Sequence, residues 1–271
     1  MASTMKIALG IEYDGSQFRG WQSQKHDSGT VQETLETALS YVANEEISVI
    51  CAGRTDTGVH GVGQVVHFET TSERDKKAWT LGTNTQLPFS VSVRWCQPVD
   101  HDFHARFGAI SRSYRYLIYN SPTRPALGMK HLTWNRRPLD LAAMQCAGQF
   151  LVGEHDFNSF RAVGCQSKSP IRTVHYLKLY KIGELIVMDV KANAFLQHMI
   201  RNIAGVLMAV GSGKYPVSWV KDVLEARDRT KGGVTAPPYG LYFMSAEYPE
   251  RFSIPLFPEE IPFLPLGGLK S

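Results

Sequence analysis

One order of secondary-structure signals occurs twice along the chain, and no other feature restricts the fold as strongly. A strand reads at residues 6–15, "KIALGIEYDG", and a helix at 31–44, where Val31, Leu35, Ala38, Leu39 and Val42 recur at helical spacing. Two β-branched runs follow at 49–51 and 65–68, then a helix at 75–87 and a strand at 91–99. The second set opens with a strand at 112–120 and a helix at 138–151, with Pro138 suited to its first turn. Strands at 173–182 and 184–193 meet through Gly183, and helices at 196–210 and 217–228 precede a last strand at 240–248. Apart from that additional short helix, each set is β-α-β-β-α-β, the split-βαβ or ferredoxin-like unit, so the fold class is α+β. The chain accordingly divides into an N-terminal half, 1–105, a C-terminal half, 106–248, and a proline-rich tail, 249–271. Two such units set their antiparallel sheets side by side or across a cleft, and 271 residues suffice for two modest cores.

Composition removes several function classes. No apolar run reaches the roughly 18 residues of a membrane helix, and the N-terminus lacks the apolar stretch and cleavage site of a secretory signal. Four cysteines lie far apart without a C-x-x-C pair, which fits thiols in a reducing cytosol rather than a disulfide scaffold or zinc ribbon. The histidines show no ligand spacing, and no metal site is expected. The net charge is only +4, yet residues 1–50 hold three Lys/Arg against seven Asp/Glu while 101–180 hold eleven against four. That skew points to one basic surface for a polyanion.

The stretch "VICAGRTDTGVHGVGQVVHFET", residues 49–70, begins and ends as strands do. A tight hairpin needs a two-residue turn, whereas this one spends about ten residues, four of them glycine, on presenting Arg54, Asp56 and His60. An isolated loop aspartate commonly does no more than form an Asx turn. The length of the loop and the arginine two positions earlier favour a functional carboxylate, with Gly53, Gly58, Gly61 and Gly63 supplying positive φ or close approach. Asp56-Thr57-Gly58 is also the tripeptide of aspartic proteases, but a single-chain enzyme of that kind needs a second copy and this sequence has none. In "RSYRYLIY", Arg112, Tyr114, Tyr116 and Ile118 share one face and Ser113, Arg115, Leu117 and Tyr119 the other. Aromatics interleaved with arginines suit stacking on unpaired bases, and equally suit cross-strand packing. Arg201 borders the apolar stripe Leu196, Met199, Ile200, Ile203, Leu207 and Val210; a half-buried arginine there needs a partner, and Asp56 is a candidate.

The segments "GRTDTGVHGVGQVVHF", "SRSYRYLIYN", "FLQHMIRNIAG" and "GLYF", together with "YDGSQFRGWQSQ", resemble in order and spacing the signature segments of the TruA family of tRNA pseudouridine synthases. The resemblance runs from about Lys6 to Tyr248, with one local departure at Gly61, where many relatives carry alanine. It implies two ferredoxin-like halves flanking a basic central cleft, a homodimer, no cofactor, a cytoplasmic location, and isomerisation of uridine at nucleotides 38–40 of the tRNA anticodon stem-loop. It further implies Asp56 as the catalytic carboxylate, Tyr114 stacked under the target base, and Arg201 paired with Asp56. Leu241 would line the pocket, and Arg54 would occupy the space that the flipped uridine leaves. The competing class is a non-catalytic RNA-binding ferredoxin-like protein, which has no need for an ionised aspartate beside an arginine.

Overall fold

Strand β1 (Met5–Tyr13) is apolar along its middle because it is paired on both edges and buried on both faces. A computed structural model describes residues 4–23, 28–256 and 260–261. Helix α1 (Val31–Ala43) starts where Thr30 accepts a hydrogen bond from the Glu33 backbone N–H, and Glu33 reaches back to the Gly29 N–H. It ends at Asn44, which takes the left-handed conformation with φ 56°. Its buried face, Val31, Leu35, Ala38, Leu39 and Ala43, packs on Ile7, Leu9 and Ile11, each large side chain contributing roughly 1.5–3 kcal/mol on burial.

The next two strands are unequal. β2 is only Ile50–Cys51, whereas β3 runs His60–Thr70. The residues before β2 are tied to α1 instead of a neighbouring strand: Ile47 N–H donates to Ser40 and Val49 N–H to Glu36. The expected helix at 75–87 forms with a π-helical stretch, Ala78–Gly82, running into α2 (Thr83–Gln86), and β4 (Val91–Val99) closes the set. The second set comprises β5 (Ser111–Asn120), α3 (Leu141–Gln149), β8 (Ile171–Ile182), β9 (Leu185–Ala192), α4 (Met199–Gly211), α5 (Trp219–Ala226) and β10 (Leu241–Glu247). Two short strands were not legible in the sequence: β6 (Thr133–Asn135), parallel to β5, and β7 (Gly153–Asp156) on β8.

The main path of the sheet is β4-β1-β3-β10-β5-β9-β8-β7. Within it, each set places its strands in the same order, fourth-first-third, and second where the second strand is long enough to join. The two sets meet edge to edge: β10 pairs with β3 in parallel through Tyr242 opposite His60 and Phe243 opposite Gly61. Of the two arrangements open to the sequence, the sheets therefore lie side by side as one. The largest core joins α3, α4 and α5 to Tyr116, Ile118, Met188 and Val190, and it includes Ala8, Ala52, Val59 and Val65 from the first set. The loop before β3 and the start of α4 consequently meet over the joint.

Candidate active site

The loop between β2 and β3 is shorter than the sequence suggests, residues 52–59, because His60 already lies in β3. Gly61 and Gly63 are strand residues, and of the four glycines only Gly58 has a positive φ, 80°. Gly61 instead makes room: a Cβ there would lie 2.4 Å from the Tyr13 ring. The loop is held at nearly every step. Gln64 brackets Gly53, donating to its carbonyl at 2.6 Å and accepting from its N–H at 3.3 Å. Thr55 accepts from the Trp21 N–H at 3.0 Å, and its hydroxyl meets Tyr13 Oη at 2.8 Å. The Val59 N–H closes a turn on the Asp56 carbonyl.

Beyond the loop, the buried His60 ring ties three other segments. Its Nδ1 accepts from Gly15 N–H, and Nε2–H faces the carbonyls of Lys130 at 2.8 Å and Tyr239 at 3.1 Å. Asp14, His60 and His131 bring possible ligand atoms within 4.8 Å of one another. His60 has no lone pair to offer a cation there, since one nitrogen already accepts and the other donates. Burial pushes its pKa down, which favours this neutral form.

Asp56 is thereby fixed opposite α4. Arg201 Nη1 donates to Asp56 Oδ2 at 3.0 Å, and His198 Nε2 approaches the same oxygen at 3.3 Å. No hydrogen bond reaches Oδ1 from the described residues, so one oxygen is anchored and the other is presented. Arg201 is itself fixed, because Nε donates to the Ala236 carbonyl and its own carbonyl accepts from Ala236 N–H. The segment at 234–236 crosses α4 at Gly205, where a Cβ would lie 1.8 Å from the Val234 oxygen. The carboxylate–guanidinium contact is partly wet, with the two side chains 28% and 15% exposed.

Both flank a cavity of about 930 Å³. Among the described residues its lining holds six arginines, Arg19, Arg54, Arg106, Arg112, Arg172 and Arg201, and a single carboxylate, Asp56. Tyr114 forms part of the wall, edge-on to Phe195 and Phe243 at 5.1 Å each, and Leu241, the first residue of β10, completes the apolar side. Burial first, then the charge of nearby groups including Asp56, pushes the Tyr114 pKa up, so the ring is a neutral phenol. Arg54 is exposed at the cavity and makes no hydrogen bond or ion pair among the described residues. Arg112 donates to the carbonyls of Ala52, Arg106, Ala109 and Asn193, stapling the loop to β5.

The five residues singled out in the sequence, Asp56, Tyr114, Arg201, Arg54 and Leu241, thus line one cavity. Of the two readings of β5, most of the strand follows the packing one: Tyr116 is fully buried with its hydroxyl on Thr133 and Pro237, and Arg115 is paired with Asp189 on the other face. Only Arg112 and Tyr114 of that strand reach the cavity. The sequence also missed His198. Helical spacing carried the helix back to residue 196, but α4 begins at Met199, and His198 sits before it with φ 62°.

A profile described as tRNA pseudouridine synthase matches residues 10–108 and 147–249, which contain every one of these positions except Tyr114. The relatives agree. A tRNA pseudouridine synthase A of Alcanivorax borkumensis is 60% identical over 92% of this chain and 94% of its own length. Those of Pseudomonas aeruginosa and Nitrosococcus oceani are 58% and 57% identical, over 94% and 93% of this chain and 89% and 96% of theirs.

The chain belongs to the tRNA pseudouridine synthase family. Its enzyme class is therefore that of an isomerase, as the signature segments imply. Tyr114, although it lies between the two matched blocks, is within the span aligned with these relatives' chains by coverage. Among solved structures, an H/ACA ribonucleoprotein bound to a substrate RNA containing 2'-deoxyuridine overlaps 83% of this chain at 13% identity with a TM-score of 0.35. This chain spans 59% of that one, and so slight a likeness carries no argument.

Proposed function

We propose that this family member isomerises uridine to pseudouridine in the anticodon stem-loop of tRNA, with Asp56 as the catalytic carboxylate. The observation that carries the reading is the presented carboxylate oxygen of Asp56, set beside Arg201 in a cavity whose charged lining is otherwise arginine among the described residues. The reaction breaks N1–C1′, turns the base and joins C5 to C1′; the C5 proton is lost, N1 gains one, and no atoms are added. Each of three routes uses an ionised aspartate: attack on C1′, attack on the base, or removal of a ribose proton on the way to a glycal. Arg201 holds one oxygen of that carboxylate and leaves the other to the cavity. The target base must leave its stack, at a cost of a few kcal/mol. An exposed Arg54 at the cavity mouth is suited to fill the vacancy and meet phosphate. Tyr114, held as a phenol, is suited to stack against the extruded uracil. Leu241 supplies the apolar wall. The two halves of the sequence, 1–105 and 106–248, correspond in this reading to the loop-bearing and the helix-bearing side of the cleft.

The same reading makes the enzyme a cofactor-free homodimer of the cytoplasm. Among the described residues, no helix is long and apolar enough to cross a membrane. The tail at 249–271 has no role assigned, and most of its last residues lie outside the described ones. The test is to incubate unmodified tRNA with the protein and map a pseudouridine-specific chemical adduct by reverse transcription. New stops confined to the anticodon stem-loop are expected. Tight binding without any stop would instead identify a non-catalytic RNA-binding protein.

A further inference from the structure

We propose that His198 is a positioning residue for Asp56, fixing which carboxylate oxygen faces the substrate uridine. This rests on the reading of Asp56 as the catalytic group. His198 Nε2 lies 3.3 Å from Oδ2, the oxygen that Arg201 already holds at 3.0 Å, and leaves Oδ1 to the cavity. Arg201 alone would let the carboxylate pivot about its Cβ–Cγ bond, whereas an imidazole packed 3.3 Å from the same oxygen restricts that pivot.

The backbone supports the assignment independently. His198 has φ 62° and ψ 2°, a left-handed conformation that glycine or asparagine adopts more readily than histidine. It sits there at the N-terminal end of α4, with Asn202 N–H on its carbonyl at 2.9 Å, yet its side chain does not cap the helix. A bulky residue held in a sparsely populated conformation, unused for capping and aimed at the one carboxylate of the cavity, is where strain and function coincide. Oδ2 thus faces Arg201 and His198 from the start of α4. Arg54 on the loop, Arg106 before β5, and Arg112 and Tyr114 on β5 are among the other titratable or charged groups that line the cavity.

The experiment uses the full chain and compares His198→Gly and His198→Asn with the parent in single-turnover assays on tRNA. Both replacements suit the left-handed backbone, so melting temperatures at or above the parent's are expected. The rate constant for His198→Gly should fall on the order of tenfold with tRNA affinity within about twofold of the parent, as for an interaction made only at the chemical step. Added imidazole should restore part of the rate, which relief of a purely structural defect would not show. An unchanged rate in both variants would overturn the inference while leaving Asp56 untouched. A loss of affinity alone would overturn it in favour of an RNA contact. An inactive parent would overturn it together with the functional reading on which it rests.

Discussion

The two arginines singled out at the site are held in different ways. Arg201 is locked to Asp56 and to the Ala236 carbonyl, whereas Arg54 is exposed at the cavity with no protein partner among the described residues. Arg54→Ala should therefore leave Asp56 in place and chiefly impair extrusion of the base. A tRNA with a mismatched target pair, whose uridine is easier to unstack, should then recover part of the lost rate. Arg201→Ala should not be rescued that way, since its defect lies in the orientation of Asp56. It should also lower stability by about 1–3 kcal/mol, less than for a fully buried pair because water reaches both side chains. Single-turnover rates on matched and mismatched stems, with thermal melts, check both statements; equal rescue of the two variants would refute them. The pairing was legible because a charged residue on an apolar helical stripe demands a partner and the length of the loop weighed against a plain Asx turn at Asp56. His198 was not, because helical periodicity cannot register a residue that leaves the helix by taking a left-handed backbone.

At the scale of elements, the site is a meeting of the β2–β3 loop, the start of α4 and the segment that crosses α4 before β10. Gly205 lets that segment through. Gly205→Ala would place a methyl group 1.8 Å from the Val234 oxygen, so backbone must shift, at a cost of at least about 1–3 kcal/mol. Because the displaced segment carries Ala236, which holds Arg201 at two points, activity should fall along with the melting temperature. Parental stability and rate in this variant would mean that the crossing does not support the site. The close approach at Gly205 could be read from a small residue on a helix stripe, but the approaching chain could not. The six-element order was visible twice because each element carries its own period. β6 and β7 were not visible, at three and four residues, since a pattern that short has no period to detect. The loop was overestimated for a related reason: Gly61 and Gly63 read as turn residues, although Gly61 is in the strand to clear the Tyr13 ring.

For the molecule as a whole, buried neutral histidines tie segments distant in sequence to β3. His67 Nδ1 accepts from Ala105 N–H, and burial pushes its pKa down to about 4. The unfolded chain, with a histidine value near 6.5, binds a proton through most of the window between about 6.5 and 4 that the folded protein rejects, so stability must fall as pH drops through it. His60, also lowered by burial, acts with the same sign. Melting temperature should decline from pH 7 to pH 4.5, and His67→Gln, whose amide oxygen can still accept from Ala105, should flatten the slope; a flat parental profile would contradict this. The uneven charge along the sequence foreshadowed the arginine-lined cavity only in part, because Arg19, Arg54 and Arg201 lie outside the basic stretch and join it through the fold. The central claim is that this assembled surface exists to present one carboxylate oxygen to a uridine. Asp56→Asn preserves the shape of that group and removes its charge, and pseudouridine mapped on whole tRNA, with binding measured in parallel, tests the claim most directly. A folded variant that binds tRNA as the parent does and forms no pseudouridine is the expected result, and turnover within a few-fold of the parent would contradict it.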